Sequence, residues 1–273
     1  TSEYEIISIT TQGVLEKEYT REYDPGERKI YIDLYKEIDT VDEWKDINKS
    51  LGENYILTQD LDFLNQGDSI GINNIFSGKL NGGNHTIKNI QISKNRDGVI
   101  SCLKGTIENL NVENYTQELN SNNAGFIAKQ TNGAIVNNIN INNANLYKTS
   151  ENTTTVGILV GVSNYTTIKN SSVTNSKIYI ESYAEKITFG GITGSGTSAN
   201  IQNSFVQNLQ VKINNILSTD GIGGIIGKND SGTIRNCYTT GKIETNREYE
   251  GGIAGYSTGK ISNCYSIMNL IST

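Results

Sequence analysis

The sequence of 273 residues has very little proline, histidine, methionine and tryptophan, with one residue of each. A single histidine excludes a zinc site of the His-Glu-x-x-His kind within this chain. No apolar run approaches the roughly 20 residues that a membrane-spanning helix requires, so we expect no membrane insertion. The formal net charge is −6, which leaves no basic field with which to hold nucleic acid or an anionic membrane.

Glycine and small polar residues take the place of the scarce types. The chain has 28 glycines and 15 tyrosines, together with many Asn, Ser and Thr residues. Gly and Asn adopt positive φ at little cost, so this composition predicts regular strands joined by tight turns. The first residue is Thr1 rather than Met and no signal peptide is visible, so we expect a fragment of a longer protein.

A repeated unit dominates the sequence. Each unit opens with a glycine-containing apolar block, passes through a short polar turn and continues into an Ile-x-Asn segment. The blocks begin at Gly98, Gly125, Gly157, Gly190, Gly223 and Gly251. The Ile-x-Asn segments begin at Ile87, Ile107, Ile135, Ile168, Ile201, Ile234 and Ile261. Their spacings of 20, 28, 33, 33, 33 and 27 residues indicate one coil that carries excursions of different length.

This unit predicts an all-β fold in which copies stack in register, a right-handed parallel β-helix. Apolar and polar residues alternate within each segment, as in a half-buried strand. No single unit can bury its apolar face, so each must pack on neighbours about 4.8 Å away. Equivalent isoleucines then stack inside, and equivalent asparagines bond one another at a corner. The expected asparagine ladder comprises Asn109, Asn137, Asn170, Asn203, Asn236 and Asn263.

Two other repeat folds share parts of this pattern. The stretch 107–114 has the spacing of a leucine-rich repeat, but the leucine-rich or helix-forming return segments of that fold are absent. A β-propeller blade needs roughly 40–50 residues, which is longer than the steps observed here. The β-helix is therefore the preferred interpretation.

Residues 1–39 lack the repeat, and residues 1–50 are expected to form a small cap of strands and one helix. Strands are predicted over 4–10, 14–19 and 29–38. Thr40 and Glu43 form a capping-box pattern, which predicts a helix over about 41–50 with Trp44 and Ile47 on one face. Such a cap covers the open end of a solenoid. We therefore divide the chain into a cap, 1–50, and a solenoid, 51–273, whose repeat still runs at its last residue and is expected to continue.

Few residues suggest chemistry. His85 follows a Gly-Gly-Asn turn and fits a turn or surface position better than a metal site. Asp60 and Asp62 point to the same side of a strand, as the paired carboxylates of a glycan-cleaving enzyme would. No other unit repeats that pair, so a turn or capping role is favoured. We expect no catalytic residue, no metal ligand and no cofactor in this chain.

The three cysteines do not form a disulfide scaffold, because any pairing leaves one over. Cys102, Cys237 and Cys264 also match no zinc spacing. Cys237 and Cys264 each follow the asparagine of an Ile-x-Asn segment, so we expect them to stack in neighbouring coils as small core side chains. A disulfide between them is geometrically demanding.

One set of residues suggests binding. The second position after the repeat asparagine is apolar or aromatic in four units. Alternation places it opposite the inward-facing Val173 and Val206, so the set predicts an outward stripe suited to sugar rings or a partner protein. A ladder that only stabilises the sheet is the alternative. The stripe comprises Ile139, Phe205, Tyr238 and Tyr265.

The two C-terminal units resemble the GLUG repeat of bacterial surface proteins. Residues 223–238 and 251–265 each carry a Gly-Gly-Ile-x-Gly block and an Ile-x-Asn-Cys-Tyr segment. The stretches 55–63 and 76–90 resemble the start of the β-helical region of such adhesins, and the region upstream of the catalytic domain in IgA1-protease-type zinc metalloproteases. The resemblance spans roughly 40–273 and implies a β-helix. The zinc motif of those proteases is not in this chain, so their activity carries over to no residue here.

Three functions remain open from the sequence. The first is a non-catalytic, monomeric module of a Gram-positive cell-surface, cell-wall-attached or secreted protein. It would act as an adhesin, ligand-binding module or stalk that binds a host or matrix protein or glycan. The second is an accessory region that positions substrate for a secreted zinc metalloprotease domain outside this chain. The third, a glycan-cleaving enzyme, is disfavoured by the scattered carboxylates.

Overall fold

The strands of the chain stack as a parallel β-helix, which confirms the fold predicted from the repeat. The computed structural model describes residues 16–24, 29–67, 71–120, 122–148, 152, 154–180, 184–214 and 216–272. Within them the strands form three sheets of 17, seven and five strands, called here sheets A, B and C. Each solenoid strand pairs in parallel with its copies in the adjacent coils.

The N-terminal part of the chain contributes a hairpin, a helix and the first coils. The cap consists of β1 (Glu16–Asp24), β2 (Lys29–Ile38), α1 (Val41–Asp46) and a 3-10 turn, Ile47–Lys49. The following strands are β3 (Asn54–Leu57), β4 (Leu61–Asp62), β5 (Ile72–Phe76), β6 (Lys79–Asn81), β7 (Thr86–Ile92), β8 (Ile100–Leu103), β9 (Thr106–Leu119), β10 (Asn123–Ala124), β11 (Ala128–Asn132), β12 (Ile135–Lys148), β13 (Thr154–Gly157) and β14 (Val160–Asn164).

The C-terminal coils repeat the same order of strands. They are β15 (Thr167–Lys169), β16 (Ser172–Thr174), β17 (Lys177–Ile180), β18 (Ala184–Gly190), β19 (Thr193–Thr197), β20 (Asn200–Gln202), β21 (Phe205–Ile213), β22 (Ile216–Gly223), β23 (Ile226–Asp230), β24 (Thr233–Arg235), β25 (Tyr238–Thr245), β26 (Glu250–Gly251), β27 (Ala254–Ser257), β28 (Lys260–Ser262) and β29 (Tyr265–Ser272). Sheet B consists of β5, β8, β11, β14, β19, β23 and β27, and sheet C of β10, β13, β18, β22 and β26. The remaining strands form sheet A.

The cap joins the solenoid through both its hairpin and its helix. Strands β1 and β2 pair antiparallel, and β2 then pairs in parallel with β3. The Thr40 hydroxyl accepts from the Glu43 amide at 3.2 Å, and the Glu43 carboxylate accepts from the Thr40 amide at 3.1 Å, so the capping box is confirmed. Trp44 and Ile47 are buried in the same core as the first coil, and the Trp44 ring meets the Phe63 ring edge-on at 5.6 Å.

The secondary structure departs from the sequence expectations at a few places in the cap. The described part of the strand expected over 14–19 belongs to β1, which extends to Asp24, and the α-helix ends at Asp46 before a 3-10 turn continues to Lys49. The strand expected over 4–10 lies outside the described residues. Within the described residues, no helix is long and apolar enough to cross a membrane.

The core consists of columns of equivalent side chains that run along the solenoid. The register places one apolar residue per coil directly above the last, and each fully buried Leu, Ile or Val contributes roughly 1.5–3 kcal/mol. The main column of sheet A is Tyr55, Leu80, Ile107, Val136, Ile168, Ile201, Ile234 and Ile261. Every member before Ile261 is buried, so the inward stacking predicted for the repeat isoleucines is confirmed for Ile107, Ile168, Ile201 and Ile234 but not for Ile87 and Ile135, which lie outside this column.

Candidate binding surface

The asparagine ladder is present and lies at one corner of sheet A. Each member has a left-handed backbone with φ between 51° and 54°, a conformation that Asn tolerates better than other residues with a Cβ. Side-chain amides bond from coil to coil: Asn236 donates to Asn203 at 3.0 Å, and Asn263 donates to Asn236 at 3.3 Å. The ladder comprises Asn109, Asn138, Asn170, Asn203, Asn236 and Asn263.

Asn138, and not Asn137, occupies the ladder position in the fourth coil. Val136 pairs with Ile168 in the sheet. Asn170 of the ladder stands two positions after Ile168, so its counterpart in the fourth coil is Asn138, two positions after Val136. Asn138 has φ 54° and donates to Asn109 at 3.0 Å. The prediction of Asn137 was wrong by one residue, although its side-chain oxygen accepts from Asn170 at 2.9 Å.

A second amide ladder, which the sequence reasoning missed, lies at the next bend of sheet A. It comprises Asn89, Asn114, Asn143, Asn175 and Asn208, all with positive φ. Asn143 donates to Asn114 at 2.8 Å, and Asn208 donates to Asn175 at 2.9 Å. The signal was available in the sequence, because each member follows another asparagine by five positions.

The Ile87-x-Asn89 segment belongs to this second ladder and not to the first. Ile87 pairs with Val112, whereas the partner of Ile107 is Leu80. Including Ile87 in the first series was therefore wrong, and it explains the short spacing of 20 residues.

Two substitutions at Asn236 separate the two contributions of the ladder. Asn236→Ala removes both amide hydrogen bonds and places a residue with a Cβ at φ 54°, so we expect it to lower the free energy of unfolding by about 1 to 2 kcal/mol. Asn236→Gly removes the same bonds but tolerates the backbone, so its loss should be smaller. Urea unfolding of both variants checks this, and equal losses would show that the left-handed backbone contributes nothing.

Three aromatic side chains form a stacked row just beyond the first ladder, called here the aromatic stripe: Phe205 and Tyr238, which are half-buried, and Tyr265, which is exposed. The register pairs them directly. The ring centroids of Phe205 and Tyr238 lie 4.8 Å apart with 3° between planes, and those of Tyr238 and Tyr265 lie 5.3 Å apart with 8°. Because the rings cover one another's faces, the stripe presents mainly ring edges and two phenol hydroxyls.

Ile139 does not belong to this row. It is fully buried, and its coil contributes Asn140 at the stripe position, since Asn140 pairs with Ser172 and Ser172 with Phe205. The prediction that Ile139 points outward was wrong, because the same one-residue error in the register of this coil also misplaced Asn137. The inward placement of Val173 and Val206 is confirmed by their burial.

An open groove lies on the other side of the first asparagine ladder from the aromatic stripe. Its volume is about 630 Å³, and it opens on the outer side of β20, β24 and β28. The Arg235 side chain on β24 reaches the neighbouring strand β20, where its Nε donates to the Gln202 side-chain oxygen at 2.8 Å. The groove, called here the amide groove, is lined by Asn200, Thr233, Arg235, Asn236, Lys260, Ser262 and Asn263.

The carboxylates and histidine near the first coils have structural partners. Asp60 accepts from the Thr86 amide at 2.9 Å, and one of its oxygens lies 3.3 Å from Nδ1 of His85. Asp62 accepts from the Leu64 amide at 2.9 Å and from Asn89 at 2.9 Å, and these bonds, the Leu64 amide first, lower its pKa. The turn and capping roles predicted for this pair match these contacts. No cluster of three or more metal-binding side chains occurs among the described residues.

Cys237 and Cys264 lie in neighbouring coils, as predicted. Both thiols are free, Cys237 is buried, and the adjoining Asn236 and Asn263 bond to each other. Burial raises the pKa of Cys237 to about 12, which makes it a poor nucleophile at neutral pH. Ser171 and Ser204 occupy the position of Cys237 in the two preceding coils. The Ser171 hydroxyl accepts from the Ile139 amide, and the Ser204 hydroxyl accepts from the Ser171 amide.

Comparison with known proteins supports the architecture. The sequence profile of the GLUG motif matches residues 218–244. The fold is similar to that of a presumed immunoglobulin A1 protease from Bacteroides ovatus, at 17% identity and a TM-score of 0.61, over 87% of this chain and 77% of that one. It is also similar to part of an IgA1 protease, at 19% identity and a TM-score of 0.63, over 85% of this chain and 20% of that one. No curated protein matches in sequence. At these identities the likeness concerns the fold.

Proposed function

We propose that this chain is a non-catalytic, ligand-binding rod of a secreted or cell-surface bacterial protein, which holds a host or matrix partner in the manner of an adhesin. The proposal rests on one observation: the aromatic stripe and the amide groove flank the first asparagine ladder in the last coils, since Tyr238 and Tyr265 of the stripe follow Asn236 and Asn263 of the groove by two positions. Aromatic rows that solvent reaches, with hydrogen-bonding groups nearby, are typical of interaction sites.

The geometry of the stripe favours a protein partner over stacked sugars at this face. Sugar rings stack on aromatic faces, but the faces of the Tyr238 ring are covered by Phe205 and Tyr265. Ring edges, phenol hydroxyls and the Arg235 guanidinium instead offer apolar edges beside fixed donors and acceptors. Tyrosine and arginine are also the residue types that carry most binding energy at protein interfaces.

The test is adhesion of the isolated chain to immobilised fibronectin, fibrinogen, laminin and collagen, with a glycan array in parallel. We expect at least one protein to bind, and the double variant Tyr238→Ser/Tyr265→Ser to weaken it at least tenfold, about 1.4 kcal/mol. Tyr165→Asn is the matched control, because Tyr165 is an exposed tyrosine that belongs to neither the stripe nor the groove, and Asn tolerates its left-handed backbone. Absence of binding to every protein would favour a pure spacer and overturn the proposal.

A second candidate is an accessory region that positions substrate for a protease domain elsewhere in the parent protein. It is favoured by the likeness of the fold to one fifth of the length of an IgA1 protease. The coding sequence of the parent protein tests it. A His-Glu-x-x-His helix beyond residue 273 supports this candidate, and a parent without any such helix overturns it.

A further inference from the structure

A second concave site lies on the opposite strands of the same coils, where sheets B and C approach each other. It has a volume of about 310 Å³, at the lower end of the range for small-molecule sites. It belongs to none of the features discussed above, since the stripe and the amide groove lie on sheet A. Its lining is Thr219, Asp220, Lys228, Asp230, Tyr249 and Tyr256.

The two tyrosines of this pocket keep their ring faces available. Tyr249 is 57% exposed and Tyr256 is 40% exposed. Their ring centroids lie 6.3 Å apart at 84°, an edge-on arrangement in which the edge of one ring meets one face of the other, so the partner ring covers at most one of the four ring faces. This differs from the aromatic stripe, where neighbouring rings lie face to face. The pocket therefore offers stacking surfaces that the stripe lacks.

Backbone contacts hold the pocket in place. The Tyr249 carbonyl accepts from the Ile222 amide at 2.9 Å, which fixes a tyrosine whose φ is 66°. The Thr219 hydroxyl accepts from the Gly221 amide at 2.9 Å. Tyr256 pairs with Lys228 in sheet B, so the second ring and the ammonium group come from adjacent strands. A preorganised site of this kind loses little entropy when a ligand binds.

The charges of the pocket are balanced. Asp220 pairs with Lys186 at 2.7 Å, and Asp230 pairs with Lys228 at 3.1 Å. The hydrogen bond from Lys228 to Asp230 is the main reason that the pKa of Lys228 is raised, so this ion pair is complete at neutral pH. Two carboxylates against two ammonium groups leave no excess charge to attract a cation or an anion. They do leave several acceptors and donors beside two aromatic faces.

We propose that this pocket binds one or two units of a neutral carbohydrate. An aromatic face packs against the C–H groups of a sugar ring, while carboxylates accept from its hydroxyls and an ammonium group donates to its oxygens. The edge-on pair of tyrosines supplies two such faces, and the balanced charges select against ionic ligands. The inference goes beyond the proposed function, since it assigns a separate site with a separate ligand class.

The experiment titrates the full chain with lactose, maltose, cellobiose and chitobiose, read out by saturation-transfer NMR and calorimetry. We expect at least one sugar to bind with a Kd of roughly 0.1 to 1 mM, typical of a shallow polar site. Tyr256→Ser and Asp230→Asn should each weaken that binding at least tenfold. Tyr165→Asn serves again as the exposed control and should leave it unchanged.

The outcomes separate this inference from the proposed function. Sugar binding that Tyr256→Ser abolishes but Tyr238→Ser/Tyr265→Ser leaves intact supports the pocket, whether or not any matrix protein binds the stripe. The inference is overturned if none of the four sugars binds, if Tyr256→Ser has no effect, or if tetramethylammonium binds more tightly than every sugar. Far-UV circular dichroism of each variant identifies any loss of fold, and Asp230→Asn, which keeps both rings, provides the second readout.

Discussion

Gly223→Ala should destabilise the solenoid by about 3 to 5 kcal/mol, among the largest effects that one methyl group can have. Gly223 ends β22, at the corner where the chain passes from sheet C to sheet B. A Cβ at this position would collide with the carbonyl oxygen of Ile226 and lie 2.7 Å from the amide nitrogen of Gly255. Both neighbours are backbone atoms of tightly stacked strands, so neither can rotate away.

The matched control is Gly52→Ala. The nearest atom to a Cβ on Gly52 is the Ser77 hydroxyl at 3.7 Å, an ordinary contact. Alanine there restricts the unfolded chain without strain, so we expect no loss and a gain of up to about 1 kcal/mol. Urea unfolding followed by circular dichroism compares the two. Equal stability of both variants would contradict the packed-corner account of the repeat glycines.

Lys148→Met should stabilise the protein at neutral pH by about 2 to 3 kcal/mol. Lys148 pairs with buried Leu119 in sheet A and is itself 4% exposed. Its ammonium donates to the buried Thr154 hydroxyl at 2.8 Å. Burial lowers the pKa of Lys148 to about 8 from its ordinary value of 10.5. Methionine fills the same space without a charge.

The pH dependence gives this prediction its direction. Because the folded pKa lies below the unfolded one, the folded state disfavours the charged amine, and Lys148 lowers stability most below pH 8. That penalty disappears as the pH rises through 8 towards 10.5. The advantage of Lys148→Met over the parent should therefore shrink over this window. Lys177→Met, an exposed lysine on the same sheet, should change stability by less than about 0.5 kcal/mol at any pH. An advantage that persists at pH 10.5 would show that burial of the charge is not its cause.

The architecture could be predicted because its signal repeats. Strict steps of 33 residues fix the stacking of Ile168, Ile201 and Ile234, and the burial of all three follows from the alternation within each segment. The capping box at Thr40 was equally readable, since its partner stands three residues away. The spacing of a few residues in the sequence is enough to predict a stacked repeat or a capping box.

The one-residue error in the fourth coil has a physical cause. Residues 135–138 read Ile-Val-Asn-Asn, so both Ile135 and Val136 begin an acceptable apolar-x-Asn segment. The structure selects Val136, which is buried, and leaves Ile135 43% exposed. Only this register turns Ile139 and Ile141 inward after the corner at Asn138. Counting the inward residues beyond the corner would have resolved the ambiguity.

The pocket between sheets B and C could not be predicted from the sequence. Its residues come from three separate stretches, around Thr219, Lys228 and Tyr249, and none of these stretches carries a recognisable motif. They meet only because neighbouring coils bring β22, β23 and β27 together. The spacing of these residues along the chain does not show that they line one pocket until the register of every coil is known.

The most direct test of the account is a crystal structure of this chain, read at Asn170, Asn203 and Asn236. We predict that their Cα atoms follow one another along a single corner at about 4.8 Å, the spacing of paired strands. Asparagines found at different corners, or separated by more than one strand spacing, would contradict the in-register stacking on which the ladders, the stripe and the pocket all depend.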